Sequence, residues 1–117
     1  MLLKSGGGIN KMDDKKPIIR LYFAKIKEEY YNLSDEEKQA FMRKDRKQMD
    51  ELGMKLLMTI DCRWSNGEWD FIGVEEWPCI EALEKRAIFE KEELKAFRYA
   101  ESKTYLGTLE IGEYGKE

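Results

Sequence analysis

The sequence predicts an α+β domain in which two helices pack on a four-stranded antiparallel sheet. Segments typical of strands and helices follow one another in the order strand, helix, strand, strand, helix, strand. A capping-box motif marks the start of the first helix. An Asn-Gly pair between two alternating segments marks a hairpin in the middle of the chain. At 117 residues, the chain is long enough for one domain with one core.

The composition is typical of a globular protein with a charged exterior and excludes several classes of function. Apolar residues make up 42% of the chain and charged residues 38%. The net charge of −3 disfavours a nucleic-acid partner, which needs a basic surface. Because no apolar segment approaches about 18 residues, we expect no membrane span. We therefore expect a cytoplasmic protein without a nucleic-acid or membrane partner.

Histidine is absent from the sequence. Its absence removes the commonest metal ligand, the usual axial ligand of haem and the usual general base near neutral pH. The two cysteines, Cys62 and Cys79, lack the spacing of a zinc site and are expected to be reduced thiols. The sequence therefore predicts no metal site and no cofactor.

The chain divides into a tail and a domain. Residues 1–16 contain three glycines and a charge cluster without periodicity, and we expect a flexible N-terminal tail. Residues 17–117 form the predicted domain.

The first strand of this domain, Ile18 to Ile26, has two predicted faces. One carries Ile19, Leu21 and Phe23, and the other carries Ile18, Arg20, Tyr22 and Ala24.

Two helices are predicted from their start and stop signals. Ser34 and Glu37 form a capping box before a helix from Asp35 to about Leu52, which Gly53 ends in a left-handed conformation. Asp45 lies on the apolar stripe of that helix and is expected to reach solvent or an arginine. Lys27 to Leu33 is predicted to be a polar connector. The second helix begins near Cys79 and breaks at the solvated segment Glu90 to Glu93. A short helix with Leu94 and Phe97 is predicted to follow, and then a last strand from Lys103 to Glu113.

The hairpin predicts a register for the two middle strands. If Asn66 and Gly67 form a two-residue turn, Trp64 faces Trp69 and Arg63 forms a cross-strand ion pair with Asp70. One face of the ribbon, expected under the helices, then carries Leu56, Met58, Ile60, Cys62, Trp64, Trp69 and Phe71. The other, expected to be open, carries Leu57, Thr59, Asp61, Arg63, Asp70, Ile72, Val74 and Glu76.

This order of elements favours a ferredoxin-like βαββαβ sandwich, in which both helices cover one face of a four-stranded antiparallel sheet. The other face is left open. We expect it to hold apolar side chains together with Arg20 and Tyr22 of the first strand. An exposed apolar patch of this kind is typical of an interface, and a second copy of the chain would bury it symmetrically. The sequence thus predicts a homodimer.

Residues 17–113 resemble the dimeric α/β-barrel superfamily, in which two ferredoxin-like protomers join their sheets in a barrel. The resemblance is strongest to the darcynin-like group of small uncharacterised proteins. It rests on the segment Leu33 to Phe41, the tryptophan-bearing hairpin Arg63 to Phe71, and the segment Thr104 to Gly107. The superfamily includes cofactor-free monooxygenases, lyases, cyclases and haem enzymes, and the missing histidine argues against the haem branch.

Two functional hypotheses follow, and the sequence leaves open whether the protein is an enzyme. The first is a pocket on the inner sheet face that binds or transforms a small molecule without metal or haem. Asp61 is the candidate base, Tyr22 the candidate proton donor or orienting group, and Arg20 or Arg63 the anchor for an anionic group. The other candidate binding residues are Asp70, Glu76, Tyr30 and Tyr31. The alternative is a dimerisation or interaction module without catalysis, in which these charges form structural ion pairs.

Overall fold

The computed structural model describes residues 16–65 and 67–110. The predicted tail therefore lies outside the described residues except for Lys16, as does Asn66 of the predicted turn. The elements, in chain order, are β1 (Ile18–Ile26), α1 (Glu28–Tyr31), α2 (Asp35–Glu51), β2 (Lys55–Asp61), β3 (Phe71–Trp77), α3 (Ile80–Glu92), a 3₁₀ helix (Ala96–Arg98) and β4 (Ala100–Gly107).

The four strands form one sheet in the order β2-β3-β1-β4, and each neighbouring pair is antiparallel. This arrangement confirms the predicted α+β, ferredoxin-like fold. The helices α2 and α3 each connect strands that are not neighbours in the sheet, so that the hairpin strand β3 lies beside β1. None of the described helices combines the length and apolarity that crossing a bilayer would require.

Local signals set most of the element boundaries. The first strand has the predicted bounds. The Ser34 hydroxyl accepts a hydrogen bond from the Glu37 N–H at 3.1 Å, and the Glu37 carboxylate accepts one from the Ser34 N–H at 2.8 Å. This geometry confirms the capping box. At the other end of α2, Gly53 has a φ of +84°, as a left-handed cap requires.

Two predicted boundaries are wrong. The connector after β1 contains α1, a single helical turn. The predicted break within Glu90 to Glu93 is confirmed, because α3 ends at Glu92 and the 3₁₀ helix that follows contains Phe97. The last strand begins at Ala100 and ends at Gly107, earlier than predicted, and the predicted positions beyond 110 lie outside the described residues.

The predicted hairpin register is wrong by one residue. Asp61 pairs with Phe71 and Ile60 with Ile72, whereas a two-residue turn would pair Asp61 with Ile72. β2 ends at Asp61 and β3 begins at Phe71, so the connection between them is longer than two residues, and the Ser65 N–H donates to the Cys62 carbonyl at 3.1 Å. Trp64 is 85% exposed in this connection, so the predicted Trp64–Trp69 pair beneath the helices is wrong.

A β-bulge in β2 is a second reason why its side chains lie on other sheet faces than predicted. Leu56 pairs with Glu75 and Met58 with Val74, so Leu57 is the extra residue between them. As a result Leu56 lies on the helix-covered face while Met58 and Ile60 lie on the open face, although strict alternation places all three together. Cross-strand partners share a face, and the helix-covered rows of β1 and β3 are Ile18–Trp77, Arg20–Glu75, Tyr22–Gly73 and Ala24–Phe71.

The face assignment of Arg20 and Tyr22 is therefore corrected. Both lie beneath the helices, because they share a face with Glu75 and Gly73 and because Arg20 bonds to Glu90 of α3. The open face carries apolar side chains of all four strands. The members that the pairing places there are Ile19, Leu21, Phe23, Met58, Ile60, Ile72, Val74 and Tyr105.

The buried hydrophobic core lies at one end of the sheet. Met49 of α2 and Ala82 and Leu83 of α3 pack around Trp77, whose side chain is fully buried. Ile18, Leu52, Met54 and Cys79 extend this cluster. Met49 is the single buried residue of the whole of α2, so that helix touches the core near its C-terminal end alone. The remaining length of α2 leaves room above the sheet.

Candidate functional site: a cavity above a buried ion-pair network

A cavity of about 500 Å³ lies between the helix-covered face of the sheet and the helices. Its floor is formed by β1 and β3, where Gly73 leaves open the position that a larger side chain would fill. Helices α1 and α2 form its walls, and α3 contributes to its polar end. Most of the lining surface is apolar. The arrangement is that of a ligand pocket, with an apolar body and a few converging polar groups.

The polar end begins at Arg20 and Glu75, which pair across the two central strands. The Arg20 Nε donates to Glu75 Oε1 at 2.6 Å, and the indole N–H of Trp77 donates to the same oxygen at 2.9 Å. Exposed fractions are 5% for Arg20 and 6% for Glu75. The Arg20 guanidinium carbon also lies 4.8 Å from the centre of the Tyr22 ring. Charge-assisted bonds of this kind are strong because they are shielded from solvent.

The same network continues into both long helices. The Arg20 Nη2 donates to Glu90 Oε2 at 3.3 Å, and Arg86 Nε donates to that oxygen at 2.9 Å. Arg86, with an exposed fraction of 4%, uses its other two nitrogens on α2: Nη1 donates to Gln48 Oε1 at 2.9 Å, and Nη2 donates to Asp45 Oδ1. Four elements are thus joined by two arginines.

Tyr22 stands beside this network. Burial raises the pKa of its phenol, and the negative charge of Glu90 raises it further; a hydrogen bond with Ser102 and the charges of the two arginines act in the opposite direction. The phenol therefore keeps its proton beyond the ordinary range. At neutral pH it is available as a hydrogen-bond donor to a ligand.

Aromatic rings surround the outer part of the cavity. Tyr30, Phe41 and Tyr99 contact one another edge to face, with ring centres 5.3 to 6.4 Å apart. Tyr31, which is 54% exposed, packs against Tyr30 at 5.9 Å and lies at the rim. The Lys38 ammonium lies 5.7 Å from the Tyr30 ring centre. Such rings offer a large apolar surface with π faces that also attract cations.

Five of the sequence-predicted site residues line this cavity, and three do not. The five are Arg20, Tyr22, Tyr30, Tyr31 and Arg63. Asp61, the candidate base, is exposed at the end of β2 and binds Arg63 through both carboxylate oxygens, at 3.0 and 2.9 Å. These hydrogen bonds lower the pKa of the Asp61 carboxyl to about 2, which makes it a weak base.

The predicted ion pair between Arg63 and Asp70 is replaced by two separate contacts. Arg63 binds Asp61 and lies 4.9 Å from the Phe71 ring centre. Asp70 Oδ2 accepts a hydrogen bond from the Ile26 N–H at 2.8 Å, a structural contact that fixes the end of β1. Glu76 pairs with Ile19 on the open face, on the opposite side of the sheet from the cavity. The longer hairpin connection separates Arg63 from Asp70, so each binds a different partner.

Sequence reasoning missed most of the polar end of the cavity. Glu75 and Arg86 were given no role, and Glu90 was placed in a solvated segment, which is wrong because it binds two buried arginines. Asp45 was expected to reach solvent or an arginine, and it reaches Arg86. One signal was available: Arg86 and Glu90 stand four residues apart, the spacing of a helical ion pair.

The residues of the cavity do not fit haem, the cofactor of one branch of the superfamily that the sequence resembles. The sequence holds no histidine, and neither cysteine lines the cavity. The phenol of Tyr22 resists ionisation, so it is a poor anionic ligand. Within residues 16–65 and 67–110, no group of three metal-binding side chains of the His, Cys, Asp and Glu types comes together. We therefore derive no chemistry through haem or a metal.

The fold and the cavity define a ferredoxin-like α+β protein with a pocket beneath its helices, and solved structures share that fold. A chlorite dismutase-like protein, TA0507, superposes with a TM-score of 0.64 at 20% identity over 82% of this chain. Two structures of RPA0582, a protein of unknown function from Rhodopseudomonas palustris, superpose with TM-scores of 0.61 and 0.55 at 16% and 14% identity, covering 85% and 82% of this chain.

These similarities establish the fold alone. The neighbours belong to the dimeric α/β-barrel fold family, and the narrower resemblance to the darcynin-like group is not confirmed. The chain spans 44% of the length of TA0507, compared with 85% and 84% of the two RPA0582 chains. No protein-family model matches the sequence, and no curated protein matches it.

Replacing Arg20 with methionine should lower the free energy of unfolding by about 3 to 5 kcal/mol. The substitution leaves the buried Glu75 carboxylate without its arginine and leaves Arg86 as the remaining partner of Glu90. Chemical denaturation followed by circular dichroism measures the loss. The matched change R43M on the exposed surface of α2 should stay within about 0.5 kcal/mol. An equal, small effect of both substitutions would contradict the structural importance of the network.

The Tyr22 phenol should ionise later than an ordinary tyrosine, because burial and Glu90 raise its pKa. The folded state then holds this proton after the unfolded state has lost it, so stability falls as the pH rises above about 10. In Y22F, the tyrosinate absorbance should lack its last ionisation step, and the alkaline loss of stability should be shallower. An unchanged alkaline stability profile in Y22F would contradict the predicted shift.

Proposed function

We propose that this protein binds a small molecule with a mainly apolar body in the cavity beneath its helices. The observation that carries the proposal is the cavity of about 500 Å³, which ends at a buried ion-pair network. That volume falls within the range of ligand sites in proteins. Protein interiors are otherwise close-packed, so a space of this size in a small domain needs an occupant or a function.

The cavity supplies contacts for the two parts of such a molecule. Tyr30, Phe41 and Tyr99 supply apolar and aromatic surface for its body. The Tyr22 phenol and the network of Arg20 supply polar contacts at the buried end. In this proposal Tyr22 keeps its predicted role as proton donor or orienting group. Asp61 has no base role in the cavity, because it is exposed and bound to Arg63.

Filling the cavity from its floor tests the proposal. Gly73 lies on a central strand, and a Cβ there would stand 3.7 Å from the Glu75 Oε2 and 4.0 Å from the Tyr22 carbonyl, which are ordinary contacts. G73L should therefore fold and place its side chain in the cavity. A thermal-shift panel of single-ring aromatic amines, alcohols and carboxylates should raise the Tm of the wild type by several degrees and leave that of G73L unchanged.

G73A is the matched control, because its methyl group occupies little of the cavity. It should keep most of the ligand-induced shift. Isothermal titration of the best compound should show an affinity at least tenfold weaker for G73L than for G73A. The proposal fails if no compound of the panel shifts the wild type, or if the shift persists in G73L.

A second proposal concerns the open face of the sheet, which we expect to join two copies of the chain. Met58, Ile60 and Tyr105 are 43 to 55% exposed on this face, and Val74 lies near its centre. Exposed apolar patches of this kind are typical of interfaces. The fold family of the structural neighbours supports a dimer of this form. A module whose role is dimerisation alone would show the dimer without ligand binding.

Introducing a charge at the centre of the open face should separate the protomers. Light scattering coupled to size exclusion should give the mass of a dimer for the wild type at micromolar concentration and of a monomer for V74K, because an unpaired ammonium is costly to bury. I88K is the matched control, since Ile88 is a 57% exposed apolar side chain on α3. A monomeric wild type would remove the dimer and, with it, the dimerisation module.

A further inference from the structure

The charge and hydrogen-bonding capacity at the buried end of the cavity indicate which class of ligand it takes. This inference rests on the proposed function. We propose that the ligand is a protonated amine on a ring-sized apolar body, with its ammonium group attracted by the excess negative charge that Asp45, Glu75 and Glu90 place at the buried end of the cavity.

The network contains more carboxylates than guanidinium groups. Arg20 and Arg86 are its two cations, and Asp45, Glu75 and Glu90 are its three acids. Formal charges therefore leave one negative charge in excess at the buried end. An unbalanced charge is costly to bury, and a ligand cation would neutralise it.

The hydrogen bonds that remain unused point to the same conclusion. Glu75 receives Arg20 and Trp77 on Oε1, Glu90 receives both arginines on Oε2, and Asp45 receives Arg86 on Oδ1. The second oxygen of each carboxylate accepts no hydrogen bond from the described residues. Glu75 Oε2 lies 3.7 Å from the Cβ position of Gly73, on the floor of the cavity. Three carboxylate oxygens thus remain as hydrogen-bond acceptors at this end of the cavity.

An anionic group would meet an excess of negative charge at this end, although donor hydrogens remain there. All three nitrogens of Arg86 donate within the network, as do Nε and Nη2 of Arg20. Because each terminal guanidinium nitrogen carries two N–H groups, five of the ten N–H groups of Arg20 and Arg86 donate to no acceptor within residues 16–65 and 67–110. A carboxylate bound there would lie beside three carboxylates that already outnumber the cations. The predicted use of Arg20 as an anion anchor is therefore the competing outcome of the test.

The other cations that line the cavity do not offset the excess negative charge at its buried end. Arg63 is paired with Asp61, and Arg46 lies on the exposed surface of α2. Solvent screens an exposed charge far more than a buried one. The aromatic rings of Tyr22, Tyr30 and Phe41 in the same lining favour a cation as well, because π faces are negative.

Three probes that share a phenyl ring test the inference on the wild-type protein. Phenethylamine carries the cation, phenethyl alcohol is its neutral counterpart, and phenylacetate is an anion. Isothermal titration at neutral pH should show that the amine binds at least tenfold more tightly than the alcohol and that phenylacetate binds most weakly. Raising the salt concentration should weaken the binding of the amine and leave the alcohol unchanged.

A substitution that removes one charge without removing bulk gives the second arm. D45N keeps an oxygen for Arg86 and should weaken amine binding about tenfold, while binding of the alcohol stays the same. D50N is the matched control on the exposed side of α2 and should change neither affinity. E75Q, compared with E76Q on the opposite face of β3, provides the same comparison if D45N does not fold.

The outcomes separate this inference from the proposed function. Tightest binding of phenylacetate, or equal binding of amine and alcohol, overturns the cation preference and leaves the cavity as a ligand site. Binding of none of the three probes overturns the inference as well. The wider panel, compared between G73L and G73A, then decides the proposed function independently.

Discussion

The ion pair between Arg20 and Glu75 is the interaction on which the arrangement of this domain depends. It joins the two central strands at the point where the hydrophobic core around Trp77 ends and the cavity above Gly73 begins. Through Glu90 and Arg86 the same contacts extend to both long helices. Because α2 buries Met49 alone, its position above the sheet rests on these polar contacts as much as on apolar packing.

This dependence explains how a domain of 117 residues can contain an open cavity. Apolar side chains between α2 and the sheet would draw the helix down until the space closed. Charged groups cannot close it in that way, because each guanidinium must keep its hydrogen bonds and each carboxylate its donors. Gly73 contributes by leaving the floor without a side chain. The network therefore holds the helix and preserves the space at the same time.

Local signals predicted the elements of this fold better than their register. The capping box of α2, the left-handed Gly53 and the bounds of β1 depend on a few adjacent residues, and all are confirmed. The faces of the hairpin depend on a long connection and on the bulge at Leu57, which no short motif announces. Each change of one residue reverses the face of every side chain along the strand. In β1 the alternation is as predicted but the wrong face was assigned to the helices, which placed Arg20 and Tyr22 on the open face, and Glu90 was interpreted as solvated from its acidic neighbours.

The alternation of β3 assigns the two proposed activities to opposite sides of one strand. Phe71, Gly73 and Glu75 face the cavity, whereas Ile72, Val74 and Glu76 face the open side. A second protomer bound to the open side could not place a side chain in the cavity across the sheet, so the proposed ligand contacts all come from one chain. Ligand binding and dimerisation are then separable by substitutions at adjacent positions. Any coupling between them would have to pass through the backbone of β3 itself.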